Sequence, residues 1–227
     1  MKAYFYTLEN FGEFDFNENK ILSIETNNRR FFLSLVKNLK NIESDGRETA
    51  FYEKDKLLSL DKDYLLLLDY FDTEPLTKTI NGKVLKNLSA ELEKSPEKVL
   101  EFSSLIAKLY AFTLTRLDET DIVFESDGER SFDEVLKLFS VSVAQPRGDI
   151  FSKILNLVEV AGELGVFKLF VFVNAKSFFV KNELNEIMKM AKYLGVSLML
   201  VDNIVTKEKI SDETLLCVDE DFFEYVF

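Results

Sequence analysis

The chain has no histidine and one cysteine in 227 residues. Without imidazole there is no Ser-His-Asp or Cys-His nucleophile system, no histidine general base and no histidine metal ligand. With a single thiol a structural zinc site is nearly excluded too, so any bound metal has to be held by oxygen, which points to Ca²⁺ or Mg²⁺. Cys217 lies inside the apolar run Leu215 to Val218 and reads as a small core residue rather than a reactive thiol. No segment approaches the ~20 apolar residues of a membrane span. The first residues, MKAYFYTLENFGEFDF, carry acids where a secretion signal needs a basic start and an unbroken apolar run. A cytoplasmic protein with no membrane partner is the expectation. The formal charge of −12 opposes a nucleic-acid partner as a sum, although it says nothing of how the charge is distributed.

What is present is ordinary globular material. Hydrophobic residues make up 47% and charged residues 30%, and 22 phenylalanines supply much of the packing volume, enough for one sizeable core with a subordinate domain. The chain is organised around KLFVFVNAKSFFVKNELNEIMKMAKYLGVSLMLVD, Lys168 to Asp202. Leu169 to Val173 is an apolar run without polar interruption, the mark of a strand covered on both faces. Leu184, Ile187, Met188, Ala191 and Leu194 then recur at helical spacing, with Gly195 where a helix C-terminus favours positive φ. Val196 to Val201 is a second buried strand. Strand, helix and strand in this order predict a βαβ crossover with the two strands as parallel neighbours.

Lys2 to Leu8 and the residues around Phe14 and Phe16 read as an antiparallel hairpin, and Ile21 to Glu25 as a short strand. Asn27 and Asn28 offer caps for a helix carrying Phe31, Leu35 and Leu39. Thr49 to Lys54 and Tyr64 to Asp69 read as two more strands. After Asp72 the texture turns helical: Thr77 to Leu92 with an interruption at Gly82, a helix started by Ser95-Pro96-Glu97 and reaching Leu117, Phe132 to Phe139 behind Ser131, and a helix capped by Asp149. Val141 to Val143 is expected to form a short strand. The predicted architecture is an α/β domain with a largely parallel sheet from residues 1–76 and 166–227, and a helical domain, 77–165, inserted into it.

Three places could hold chemistry. The loop Glu25-Thr26-Asn27-Asn28 between strand and helix stands where a P-loop enzyme cradles phosphate. It has no glycine for close backbone approach, no lysine for the phosphates, and a glutamate that would repel them, so no nucleotide is expected. The stretch from Asp118 to Glu134 holds eight carboxylates in seventeen residues. With Gly128 as the sharp turn, Glu125, Asp127 and Glu134 fall near calcium-loop positions, but Val123 stands at the first ligand place. Spacing favours a solvated acidic linker and leaves an irregular metal site as the other reading. Asp219-Glu220-Asp221 beside Phe222 and Phe223 reads as a charged edge whose aromatics return to the core. Lys137, Arg147, Lys153, Lys176, Lys181, Lys189 and Lys192 each read as surface residues.

KLFVFVN followed by AKSFFVKNEL, then LMLVD, and the tail LLCVDEDFFEYVF resemble the small accessory protein of type II-A CRISPR systems that takes part in acquiring spacers. Weaker similarity in order and hydrophobic pattern, including DYLLLLDYF and the Ser-Pro-Glu helix start, extends over essentially the whole chain. The resemblance implies an α/β domain related to P-loop ATPases but without a working phosphate loop, plus a helical domain. It implies a non-catalytic homotetrameric ring that encircles double-stranded DNA at free ends, independently of sequence, with Ca²⁺ stabilising it, and that works with the other adaptation proteins and the RNA-guided effector nuclease. It raises Glu125, Asp127, Glu129 and Glu134 as calcium ligands and assigns Lys137, Arg147 and Lys153 to the DNA. Val180 departs from the pattern, standing where relatives can have a hydroxyl residue as the central helix's cap, so the start of that helix can shift. The competing readings are a Mg²⁺-dependent nuclease or phosphohydrolase using the acids of 118–134, and a protein-only adaptor.

Overall fold

The computed structural model describes residues 1–6, 11–16, 20–40, 50–53, 56–117, 125, 128–144 and 148–227. In chain order the elements are β1 (Lys2–Tyr6), β2 (Phe11–Asp15), β3 (Ile21–Thr26), α1 (Arg29–Leu39), β4 (Ala50–Glu53), β5 (Lys56–Leu57), β6 (Tyr64–Leu67), α2 (Glu74–Glu93), α3 (Pro96–Leu117), α4 (Phe132–Leu138), α5 (Ile150–Glu163), β7 (Leu169–Val173), α6 (Lys181–Tyr193), β8 (Ser197–Asp202), β9 (Thr214–Val218) and β10 (Glu224–Val226). Among the described residues no helix is long and apolar enough to cross a membrane.

Compactness divides the chain into two units, Met1–Ile80 with Gln145–Phe227, and Asn81–Ala144. The first unit holds a six-stranded sheet in the order β10-β9-β3-β8-β7-β6 and a four-stranded sheet in the order β2-β1-β4-β5. In the larger sheet β3, β6, β7, β8 and β9 run parallel, and only β10 is antiparallel, against β9. The predicted crossover is there: β7 and β8 are parallel neighbours, Leu169 facing Ser197 through Val173 facing Val201. The N-terminal hairpin is also there, β1 antiparallel to β2.

Strand alternation sorts the core. Leu22, Ile24, Leu169, Val171, Val173, Met199, Val201, Leu216 and Val218 join Phe31, Leu35 and Leu39 of α1 and Ala3, Phe16 and Phe51 of the smaller sheet in one buried cluster. The opposite parity, including Phe170, Phe172, Leu198 and Leu200, is equally buried, and α6 packs on β8 with Leu184, Ile187, Met188 and Ala191 inward. Both faces are covered, which is why β7 is apolar throughout and the middle of β8 from Leu198 to Val201 is too. Helix α5, grouped by the sequence pattern with the helical block, packs on α6 and buries Ile154, Leu157, Val158 and Ala161 in the α/β unit.

Two local expectations are overturned. Helix α2 runs unbroken through Gly82, whose cost of roughly 1 kcal/mol is outweighed by burial of Ile80, Val84 and Leu85 beside it. Residues Val141–Val143 form no strand, because the Val143 N–H bonds the Asn81 side chain, at 2.9 Å, instead of a neighbouring strand. Helix α6 begins at Lys181; Val180 supplies no side-chain cap, and its own N–H is taken by Glu183 at 2.9 Å.

Candidate functional site

Ligands of open parallel sheets bind beyond the carboxyl ends of the strands. Here that edge is already filled with the protein's own charges. Glu25, at the end of β3, is fully buried, and its carboxylate is saturated. Oε1 accepts from the Lys176 ammonium at 2.6 Å and the Thr206 hydroxyl at 2.5 Å, while Oε2 accepts from the backbone N–H of Thr206 at 2.6 Å and of Lys207 at 2.9 Å. Burial by itself would raise the Glu25 pKa, but the hydrogen bonds from Lys176, Thr206 and Lys207 win and hold it below the ordinary value.

Lys176 follows β7 in a short 3-10 turn over Ala175–Ser177, entered through Asn174 at φ 58°. That turn aims the side chain back over the sheet edge, and only 8% of it remains exposed, so the reading of Lys176 as a surface residue is corrected. Its backbone N–H bonds Asp202 Oδ1 at 2.9 Å. The second oxygen of Asp202 has no partner, and burial pushes this acid up to about 6. A third buried acid, Glu213, accepts from the Ser23 hydroxyl at 2.5 Å and the Ile210 N–H at 2.8 Å. Sequence inspection missed this set because each member ends an apolar run or sits in a loop, and the spacing between them exceeds any local motif. The one visible signal was an acid closing each of β3 and β8.

The neighbouring loop behaves as its composition dictates. The Asn28 side chain accepts the N–H groups of Arg30 at 3.1 Å and Phe31 at 3.0 Å, capping α1. Its amide donates to the Glu220 carbonyl at 2.9 Å, which ties the helix start to the acidic turn at 219–221. In that turn Asp219 accepts from the N–H of Asp221 and of Phe223, and Phe222 packs edge-on against Phe31. The loop is a cap, with no glycine turned toward a ligand.

In the helical unit, Gly128 has φ 69°, a backbone conformation that favours glycine. Glu129 and Glu134 both line an open cavity of about 830 Å³ against Phe102, Ile106 and Tyr110 of α3. Glu134 is also committed locally, accepting the Ser131 N–H at 2.8 Å at the start of α4, a bond that lowers its pKa. Glu125 is exposed, and Asp127 lies outside the described residues. Among the described residues no three acidic or thiol groups come close enough to hold a metal ion. Lys137 pairs with Asp133 at 2.7 Å, Lys153 is half-buried on α5, and Arg147 lies outside the described residues.

Helix α3 is the anomaly of this unit. In 22 residues it buries none. One face carries Phe102, packed against Phe132, with Ile106 and Tyr110 half-buried beside it. About a quarter of a turn away Leu105, Leu109 and Phe112 form an adjoining apolar stripe, at 57%, 56% and 62% exposure. Helix α3 thus carries a wide apolar surface, part of which the described residues leave more than half exposed.

Comparison with known proteins decides the family. The family described as CRISPR-associated protein (Cas_Csn2) matches residues 41–222. This chain belongs to that family. A relative from Streptococcus agalactiae named CRISPR-associated protein Csn2 is 25% identical over 195 residues, covering 85% of this chain and 84% of the relative. The match of this Csn2-family chain takes in α3 and, of the buried edge, Lys176, Asp202, Thr206 and Glu213, while Ser23 and Glu25 lie before its first residue.

Proposed function

We propose that the protein is a non-catalytic, double-stranded DNA end-binding ring that serves spacer acquisition. In this reading four copies close a ring, Ca²⁺ held by Glu125, Asp127, Glu129 and Glu134 stabilises it, and Lys137, Arg147 and Lys153 face the DNA in its lumen. The observation that carries the reading is the exposed stripe of Leu105, Leu109 and Phe112 on α3, a surface that a lone subunit would leave in water. Family membership supplies the CRISPR context.

A subunit of charge −12 can line a positive hole if its acids face outward, because converging copies multiply a modest basic patch. The Lys137–Asp133 pair is exposed, and such pairs contribute little. Exchanging Asp133 for a phosphate oxygen is therefore cheap, and binding of this kind is salt-dependent and blind to sequence. We further infer that the α/β unit derives from a P-loop scaffold. The parallel order around β3 and the strand-loop-helix from β3 into α1 support it, and the glycine-free loop explains why phosphate binding is gone.

The test is size-exclusion chromatography followed by binding to linear and to covalently closed circular duplex, with Ca²⁺ or with chelator. A tetramer that binds linear duplex, loses affinity for closed circles and weakens under chelation is expected. A strict monomer, or equal affinity for both DNA forms, rejects the ring. Metal-dependent cleavage of the DNA would instead favour a nuclease using the acids of 118–134.

A further inference from the structure

The surroundings of Glu25 have the form of an anion receptor rather than of a simple ion pair. The donors converge on one carboxylate from two separate segments: an ammonium from the loop after β7, and a hydroxyl and two successive backbone N–H groups from the loop after β8. Lys207 holds φ 56°, and successive N–H groups turned the same way by a left-handed residue form the concave nest that binds phosphate and carboxylate elsewhere. The thiol of Cys217 adds a weak fifth contact at 3.6 Å. Beside the nest lies a cavity of about 180 Å³ with Lys176, Lys181, Thr206 and Glu208 in its wall, so two of the receptor's residues also border open space.

We propose that Lys176, Thr206 and Lys207 form an oxyanion-binding nest whose resident ligand is the chain's own Glu25 carboxylate, and that a small exogenous carboxylate takes the site when that side chain is shortened. The reasoning is one of pairing. Each Glu25 oxygen already receives two donors, the geometry of a bidentate planar carboxylate, so the receptor is complementary to –COO⁻ itself and not only to negative charge. Removing the carboxylate leaves a nearly buried ammonium and two partly buried N–H groups without their acceptor, a cost that a diffusible carboxylate of the same shape removes. In the intact protein the tenant closes the crevice at the carboxyl end of the sheet, since a phosphate would have to displace a saturated, fully buried anion.

Formate is the probe. The full-length Glu25→Ala variant is melted in sodium formate and in sodium chloride at equal ionic strength, beside the wild-type protein and Glu25→Gln, whose side chains still fill the nest. The expected result is a midpoint for Glu25→Ala below wild type in chloride that climbs by several degrees, saturably, with formate, as a ligand bound only by the folded state requires. Wild type and Glu25→Gln should melt alike in the two salts. A formate response in Glu25→Ala no larger than that of Glu25→Gln overturns the proposal. If Glu25→Ala does not fold in chloride, its refolding yield from urea in formate decides, and equal yields in the two salts overturn it. Adding Lys176→Met to Glu25→Ala should abolish the response; a response that persists places the anion elsewhere and also overturns the assignment.

Discussion

Glu25 and Asp202 stand opposite each other on the parallel strands β3 and β8, both fully buried, and a single lysine serves them: Lys176 gives its ammonium to Glu25 at 2.6 Å and its backbone N–H to Asp202 at 2.9 Å. The division is unequal. Glu25 takes the charge and stays ionised, while Asp202 receives one neutral donor and keeps an unpaired oxygen.

That inequality sets a pH dependence. Burial, aided by the charges of Glu25 and Glu213 and opposed by Lys176, raises Asp202 from 3.8 to about 6. A group whose folded value is raised contributes its full stability below its unfolded value and loses it as pH climbs through the folded one. The window is therefore about pH 4 to 6, and the loss is on the order of 3 kcal/mol. Asp202→Asn removes the proton equilibrium, so its stability relative to wild type should improve as pH rises across that window. Urea unfolding of both proteins at several pH values checks this, and a constant difference would rule it out.

Lys176 is the only ammonium bonded to the Glu25 carboxylate among the described contacts. Lys176→Met is expected to cost about 3–5 kcal/mol, because it strands a buried carboxylate. Adding Glu25→Gln should recover part of that loss by removing the stranded charge. The coupling is read from a double-mutant cycle in chemical denaturation, and strict additivity would show that the pair does not act as one unit.

The bare stripe of α3 gives a third test. Leu109 is more than half exposed, so Leu109→Glu should leave the fold of the subunit intact, as judged by circular dichroism. Where the proposed ring forms through this stripe, sedimentation velocity should show the variant shifted toward smaller species than wild type, because a charge in an apolar contact is desolvated without a partner. An unchanged sedimentation profile would remove α3 from the interface.

Two glycines should respond in opposite directions. A Cβ at Gly82 meets nothing within 4 Å, so Gly82→Ala should stabilise by roughly 0.5–1 kcal/mol through helix propensity. At Gly162 the Cβ would fall 2.9 Å from Leu194 Cβ, where α5 crosses the end of α6. Gly162→Ala should therefore destabilise by about 1 kcal/mol or more. Thermal melts of the two variants decide the signs.

Much of the fold was readable wherever burial is two-sided. Leu169 to Val173 and Leu198 to Val201 are apolar throughout because both faces are covered, and that constraint is written directly into composition. The caps were readable for a similar reason, since Asn28 and Asp149 satisfy N–H groups two or three residues away. Val141–Val143 was misread because two valines flanking Ser142 carry no information about whether a strand lies alongside, and Asn81, 62 residues before Val143, supplies the partner instead.

By itself, the order of residues determined the element types along β7, α6 and β8, the parallel pairing of those strands, the exclusion of imidazole chemistry, and the absence of a glycine-rich phosphate loop. Those follow from local periodicity and from residue types that are simply not there. Tertiary structure alone decided that Lys176 turns inward, that Glu25 fills a nest made by residues 150 and more positions away, that Asp202 keeps an unsatisfied oxygen, and that Leu105, Leu109 and Phe112 of α3 are more than half exposed. Each of these depends on which distant segments meet, and the energy of a buried charge is set by those neighbours rather than by its place in the chain.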